Sequence, residues 1–275
     1  MNRTKQIFLG IATGVVLLLF LKPVLAEEIL FFSPTRINLN NSNPVQTVTI
    51  SNLSDIARAY SISVEDLIMT PEGITTPVDH FDYSAKRMIR FVPRDFVLKP
   101  GEKQTIRIMS RTGPDTAMGD YHSHMRFLED VTKRQENNPP PEGGALISAP
   151  LSYEAMIPVV LSHGQVQTII GLKDAKIEKN QKSAGYKISL QLTRDGNGQG
   201  IAYIDTNYTA PDGTRTAATV RRTVYIYREL NEVKKEYEFG LPEGTPVGGN
   251  ISVSVFDNLS DGAKPVGQMT LPLPE

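Results

Sequence analysis

A run of seventeen residues, 145–161 (ALISAPLSYEAMIPVVL), holds no Lys or Arg and constrains the fold more than any other stretch of the chain. At roughly 3.3 Å per residue it would extend about 55 Å, several times the usual strand of about five to six residues. Its odd positions Ile147, Ala149, Leu151, Tyr153, Ala155, Ile157, Val159 and Leu161 form an unbroken apolar or small face, while Ser148, Ser152 and Glu154 put polarity on the even face. Pro150 and Pro158 share the even parity, so without a bulge both missing N–H donors fall on one edge. That edge is expected to lack a full-length partner within the chain. An apolar strand with an open edge invites aggregation unless the protein uses it to pair with another chain. A long edge strand bent at its prolines is the plainer alternative.

The address is legible at the start. Residues 1–26 read as a secretory signal peptide: Arg3 and Lys5 head an apolar core at 7–21, and Val24-Leu25-Ala26 offers small residues for cleavage after Ala26. The core is short for a membrane span, although Lys22-Pro23 after it leaves an uncleaved anchor open. Without cysteine there is no disulfide, thiolate metal site or Cys nucleophile, so stability must come from packed cores. A net charge of -1 argues against a nucleic-acid partner.

Between 28 and 108 the chain alternates short β-type runs with turns. ILFFSPTRINL, PVQTVTISNL, ARAYSISVEDL, KRMIRFVPRDFVL and KQTIRIMSR are broken by Asn-Asn, Pro-Glu-Gly and Lys-Pro-Gly-Glu. No helical run separates them, which excludes a parallel α/β sheet and predicts a sandwich. DYHSHMRFLEDV (120–131) adds a strand with Tyr121, Met125 and Phe127 toward the core, and TKRQENNPPPEGG (132–144) is expected to be a mobile loop. After a hinge at Ser162-His163-Gly164 come VQTIIGL, YKISLQL, GIAYIDTNYTA, TVRRTVYIYREL, KEYEFGL, NISVSVFDNL and QMTLPL, enough strands for one more sandwich. The expected class is therefore all-β: a signal peptide at 1–26, a sandwich at 27–163 and a second at 164–275.

Three features carry a family resemblance. SPTRINL (33–39) is similar to a first-strand Thr-Arg pair, FVPRDFVLKPGEKQTIRI (91–108) to a Pro…LxPGxxQxxR pattern through Pro93, Leu98, Pro100, Gly101, Gln104 and Arg107, and the strand to Phe127, the loop and the run from Leu146 follow in order. Together they resemble the PapD-like periplasmic chaperones of pilus (fimbrial) assembly over residues 28–161. The resemblance implies two immunoglobulin-like sandwiches in tandem and a non-enzymatic, cofactor-free protein of the periplasm. Such a protein lends its long strand to an incomplete pilin-like subunit, with an outer-membrane usher as a further partner. It implies Ile147, Ala149, Leu151 and Tyr153 as donor-strand side chains and Arg36 as the cleft residue that binds the C-terminus of the pilin. An arginine suits a carboxylate because its planar fork donates two parallel hydrogen bonds.

The sequence also departs from the family. The second cleft residue, a lysine in the family, aligns with Met156, or with Ala155 if the register slips, and no basic residue lies in 145–161. The basic partner of the acid at the domain junction falls near Val160, although Asp120 matches the acid, so an apolar junction is expected. A structural or adhesive cell-surface sandwich that self-assembles through the same strand is the alternative function.

Other chemistry is thin. Asp120, His122 and His124 share one strand face, where a zinc site is one reading and a solvated sheet face the commoner one. The segment 195–200 (DGNGQG) has calcium-loop spacing, but Thr206 stands where such a loop needs Glu, which favours a Gly-rich hairpin. No Gly-x-Ser-x-Gly elbow or His-Glu-x-x-His is present, so neither an enzyme nor a small-molecule substrate is expected.

Overall fold

The computed structural model describes residues 30–139, 152–180, 185–241 and 248–274. The signal peptide at 1–26 and the donor side chains Ile147, Ala149 and Leu151 lie outside the described residues.

The first half is built from β1 (Leu30–Ser33), β2 (Ile37–Asn40), β3 (Val45–Asn52), β4 (Arg58–Glu65), β5 (Leu67–Met69), β6 (Thr75–Pro77), β7 (Ile89–Val92), β8 (Asp95–Leu98), β9 (Lys103–Ser110), β10 (Gly119–Glu129) and β11 (Glu154–His163). One sheet runs β1-β3-β9-β7 and the other β2-β11-β10-β4-β8, while β5 and β6 form a separate hairpin. Alternation sends Val48 and Ile50 of β3, Ile106 and Ile108 of β9, Met125 and Phe127 of β10, and Ile157, Val159 and Leu161 of β11 into the space between the sheets. These are the odd positions of β11, so its even positions face outward.

The second half contains β12 (Thr168–Lys179), β13 (Tyr186–Gly196), β14 (Gly200–Thr209), β15 (Arg215–Ala217), β16 (Arg222–Ile226), β17 (Glu232–Phe239), β18 (Asn250–Phe256) and β19 (Gly267–Pro272). Its sheets are β12-β13-β17 and β15-β14-β18-β19, with β16 also on β14. Ile188, Leu190 and Leu192 of β13 meet Ala202 and Ile204 of β14 and Ile251, Val253 and Val255 of β18 in a second core. The chain is thus two tandem all-β sandwiches, and Gly164, at φ +65, turns it from β11 toward β12.

One expectation is corrected. The first part of 132–144 is not a loop: helix α1 (Val131–Asn137) starts there, its first turn capped by the Asp130 side chain on the Lys133 N–H. Asn138 then fixes the helix end to the start of β4, accepting from Ala57 N at 3.0 Å and donating to Ala57 O at 2.7 Å. Those bonds outweigh a composition that reads as coil.

Candidate functional site

Strand β11 is paired unequally along its two edges. β10 covers one edge from Glu154 to His163. On the other edge β2 runs parallel to it only from Val159 to Ser162, so 154–158 has no partner strand there among the described residues. Pro158, which has no N–H to donate, lies within this unpaired stretch; Pro150 lies outside the described residues.

The chain entering this open stretch is tied down by a buried ionic cluster. The Glu129 side chain is fully buried and pairs with Arg58 at 2.7 Å and Arg134 at 3.0 Å. It also accepts from Tyr153 N at 3.2 Å, while Glu129 N donates to Tyr153 O at 2.9 Å and Ser152 Oγ to Glu129 O at 3.0 Å. The Arg58 guanidinium lies 5.0 Å from the Tyr153 ring centre. Tyr153 itself stays exposed.

Arg36 stands where β2 begins. Because Ile37 is level with Val159, Arg36 falls beside Pro158, whose side chain shares the outward face of β11. Both line a cavity of about 460 Å3 between the sandwiches, together with Tyr225, Tyr227, Arg222 and Lys235 of the second. The guanidinium lies 4.1 Å from the Tyr225 ring centre and donates through Nη2 to Gln199 Oε1. Its Nε is buried without a partner among the described residues. Burial pushes the Tyr227 hydroxyl up, against the pull of the Arg36 charge.

Met156 lies elsewhere. Two residues before Pro158 and level with Arg126, it lines a separate depression with Glu65, Asp66 and Glu154. Of the two cavities, Met69 of β5 borders the one at Arg36 and Leu67 the one at Met156.

The face of β10 carrying Asp120, His122 and His124 is not the solvated sheet face expected: all three are buried, because the second sandwich covers them. Asp120 accepts from Ser162 Oγ at 2.6 Å and from Gln199 N at 2.7 Å. His122 Nε2 lies 3.0 Å from Glu229 Oε2, and its ring stacks on Tyr227 with centres 3.9 Å apart. Burial, reinforced by His122 and Arg36, pushes the His124 imidazole down to about 4, against the pull of Glu229. Burial pushes the Glu229 carboxyl up, but bonds from His122 and from Met69 N–H, the latter at 2.9 Å, leave it below its ordinary value. No cluster of three metal-ligating side chains occurs among the described residues. The expected apolar junction is half of the truth: Met69 and Val160 do join the second core, but these polar bonds hold the same surface.

The Gly-rich segment 195–200 is a hairpin. Arg194 organises it, donating to Gly196 O at 2.7 Å, Gly198 O at 2.9 Å and Leu230 O at 2.6 Å. A Cβ on Gly198 would meet Thr168 Oγ1 and Val166 Cγ1 at 2.4 Å, so only glycine lets the tip settle against the linker. There Gln199 reaches both Asp120 and Arg36. Sequence reasoning missed Gln199, Tyr225, Tyr227 and Glu229. The dense Arg/Tyr alternation of TVRRTVYIYREL was the available signal, but nothing local to it specifies contact with residue 36.

No family model and no curated protein matches the chain. Solved structures do. The YadV chaperone is similar at 11% identity and TM-score 0.44, covering 89% of this chain and 100% of its own. The CsuC–CsuE chaperone and tip-adhesion pre-assembly complex of Acinetobacter baumannii Csu pili is similar at 11% identity and TM-score 0.42, covering 89% of this chain and 97% of that one. The Salmonella enterica SafA pilin in complex with the SafB chaperone is similar at 14% identity and TM-score 0.39, with coverages of 89% and 96%. At such identities no residue's role passes from those proteins to this chain, whose site stands on its own geometry.

Proposed function

We propose that this protein is a chaperone of the periplasm, delivered there by residues 1–26, that holds a pilin-like subunit by lending it the strand ending in β11. The observation that supports this best is the open edge at 154–158, which runs up to Arg36 at the point where β2 takes over the pairing. A pilin strand added to that edge would continue the sheet and bring its terminal carboxylate to Arg36. Ile147, Ala149 and Leu151 continue the parity of Tyr153 and Ile157 and would fill the groove of the pilin, each full burial worth about 1.5–3 kcal/mol. An outer-membrane usher would then receive the complex.

The test is co-export with pilin-like proteins encoded beside the gene, followed by isolation of a one-to-one complex. Ile147→Asp with Leu151→Asp should abolish the complex and leave the melting temperature of the free chain unchanged. If the double variant melts far below the parent, those residues are private core and the donor reading fails. Concentration-dependent self-association abolished by the same substitutions would instead favour self-assembly through the strand.

A further inference from the structure

Hairpin β5–β6 belongs to neither sheet of the first sandwich, and its two ends are fastened to different halves of the molecule. At the root Asp66 is buried: its carboxylate accepts from Ser123 Oγ of β10 at 2.6 Å and from Ser84 Oγ at 2.8 Å, and its carbonyl from Val78 N at 3.0 Å. Toward the tip the bonds cross to the second sandwich. Met69 N donates to Glu229 Oε1 at 2.9 Å, Lys234 N of β17 to Pro71 O at 2.7 Å, and Lys235 Nζ to Gly73 O at 2.7 Å. The Met69 side chain is buried in the second core. β17 is an edge strand, so the Pro71 carbonyl takes an N–H that no neighbouring strand uses among the described residues. Gly73 sits at φ +73, and a Cβ there would run into Lys235 Nζ, so only glycine lets the tip seat. The tip is nonetheless lightly held, because Pro71, Glu72 and Ile74 are exposed, Ile74 to 63%. An element fastened by a few bonds at an exposed tip opens locally, well below the free energy of global unfolding.

We propose that β5–β6 is a latch: docked, it holds the two sandwiches at one angle, and released at its tip it lets the second swing about the turn at Gly164. The latch and the histidine joint share an acid, since Glu229 takes the Met69 N–H on Oε1 and His122 Nε2, at 3.0 Å, on Oε2. Releasing the tip therefore loosens the joint as well. Met69 is also a wall of the cavity at Arg36, so the width of that cavity follows the latch. The latch is a property of the free chain and stands whether or not the strand lending proposed above holds.

The chain has no cysteine, so nitroxides can be placed at two exposed positions, Thr47→Cys in the first sandwich and Lys176→Cys in the second. Double electron–electron resonance on the full-length mature chain then reads the distance between the sandwiches, and the parent should give one narrow distribution. Replacing 71–73 by Asn-Gly makes a two-residue turn between Thr70 and Ile74, which already bond N to O at 2.7 Å. Together with Lys235→Met it withdraws the tip from β17 and keeps the hairpin, and the distribution should widen at least about twofold. Gly73→Val, a single change, should widen it in the same direction. Glu72→Ser with Ile74→Ser, which leaves the crossing bonds in place, should match the parent. An unchanged distribution in the shortened and Gly73→Val chains overturns the latch, and so does equal widening in the serine control. Hydrogen exchange on the unsubstituted chain tests it without any variant: the Met69 and Lys234 amides should share one protection factor, at least about a hundredfold below that of Leu190 in the second core. If both exchange only as slowly as Leu190, by global unfolding, the tip does not release and the inference fails.

Discussion

Strand β10 carries a buried polar cluster at each end, and the two are built from different chemistry. At its C-terminal end Glu129 is closed in by two arginines inside the first sandwich. Toward its N-terminal end His122 and His124 meet Glu229 and Tyr227 across the junction. Arginine keeps its proton at any physiological pH, whereas a histidine changes charge in mild acid. The first cluster is therefore a permanent fixture that holds Ser152 and Tyr153 in place at the mouth of the open strand. The second is a joint between domains whose strength depends on pH.

The largest expected effect lies at the permanent cluster. Glu129→Ala would leave Arg58, whose side chain is only 8% exposed, without its acid. Breaking a buried pair by removing one partner costs about 3–5 kcal/mol. Urea unfolding of the full chain should show a loss of that size, equal at pH 7.5 and pH 5.5. A loss below about 1 kcal/mol would mean that water already compensates Arg58, and the contrast between the two clusters would disappear.

The pH dependence of the joint comes next. An unfolded histidine titrates near 6.5 and His124 in the native chain near about 4, so between those values the unfolded chain takes up a proton that the folded one refuses. Stability from this group is complete above about pH 6.5 and falls by about 3 kcal/mol by pH 4. Glu229, held below its ordinary value, adds a loss of the same sign where unfolded carboxyls protonate. Calorimetry from pH 7.5 to 4.5 should show a falling melting temperature, and His124→Phe should flatten the part above pH 5. A parent profile that is flat over this range would show that His124 is not sheltered by the junction.

Much of this contrast could not be read in the sequence. The strands were legible because alternation at positions such as 157, 159 and 161 answers to one local rule. The strand face of Asp120, His122 and His124 was legible too, but its burial was not, because the residues that cover it lie about a hundred positions away. Arg36 could be singled out through a short motif, whereas Gln199 and Tyr225 become its neighbours only when both sandwiches are in place. Helix α1 was hidden by composition, since its stop is a tertiary bond from Asn138 to Ala57.

The smallest expected effect lies between the two clusters, at Met156, which is level with Arg126 in the middle of β10. The depression there is of about 400 Å3 and holds Glu65, Asp66, Asp79 and Glu154 against the single base Arg126. Its pairs are exposed, as in Arg126 with Glu154 at 2.8 Å, so charge there is worth far less than at Glu129. Met156→Lys adds a cation to an acid-rich surface and should change stability by less than about 1 kcal/mol. The family resemblance places a carboxylate-binding lysine at this position, but Pro158, two residues on, is the β11 residue that lines the cavity of Arg36. In a titration of the mature chain with acetylated tetra-alanine as free acid and as C-terminal amide, Met156→Lys should accordingly show the same preference between the two as the parent. If the substitution tightens the acid and leaves the amide alone, a side chain at 156 reaches Arg36 across β5, and the two depressions act as one continuous groove.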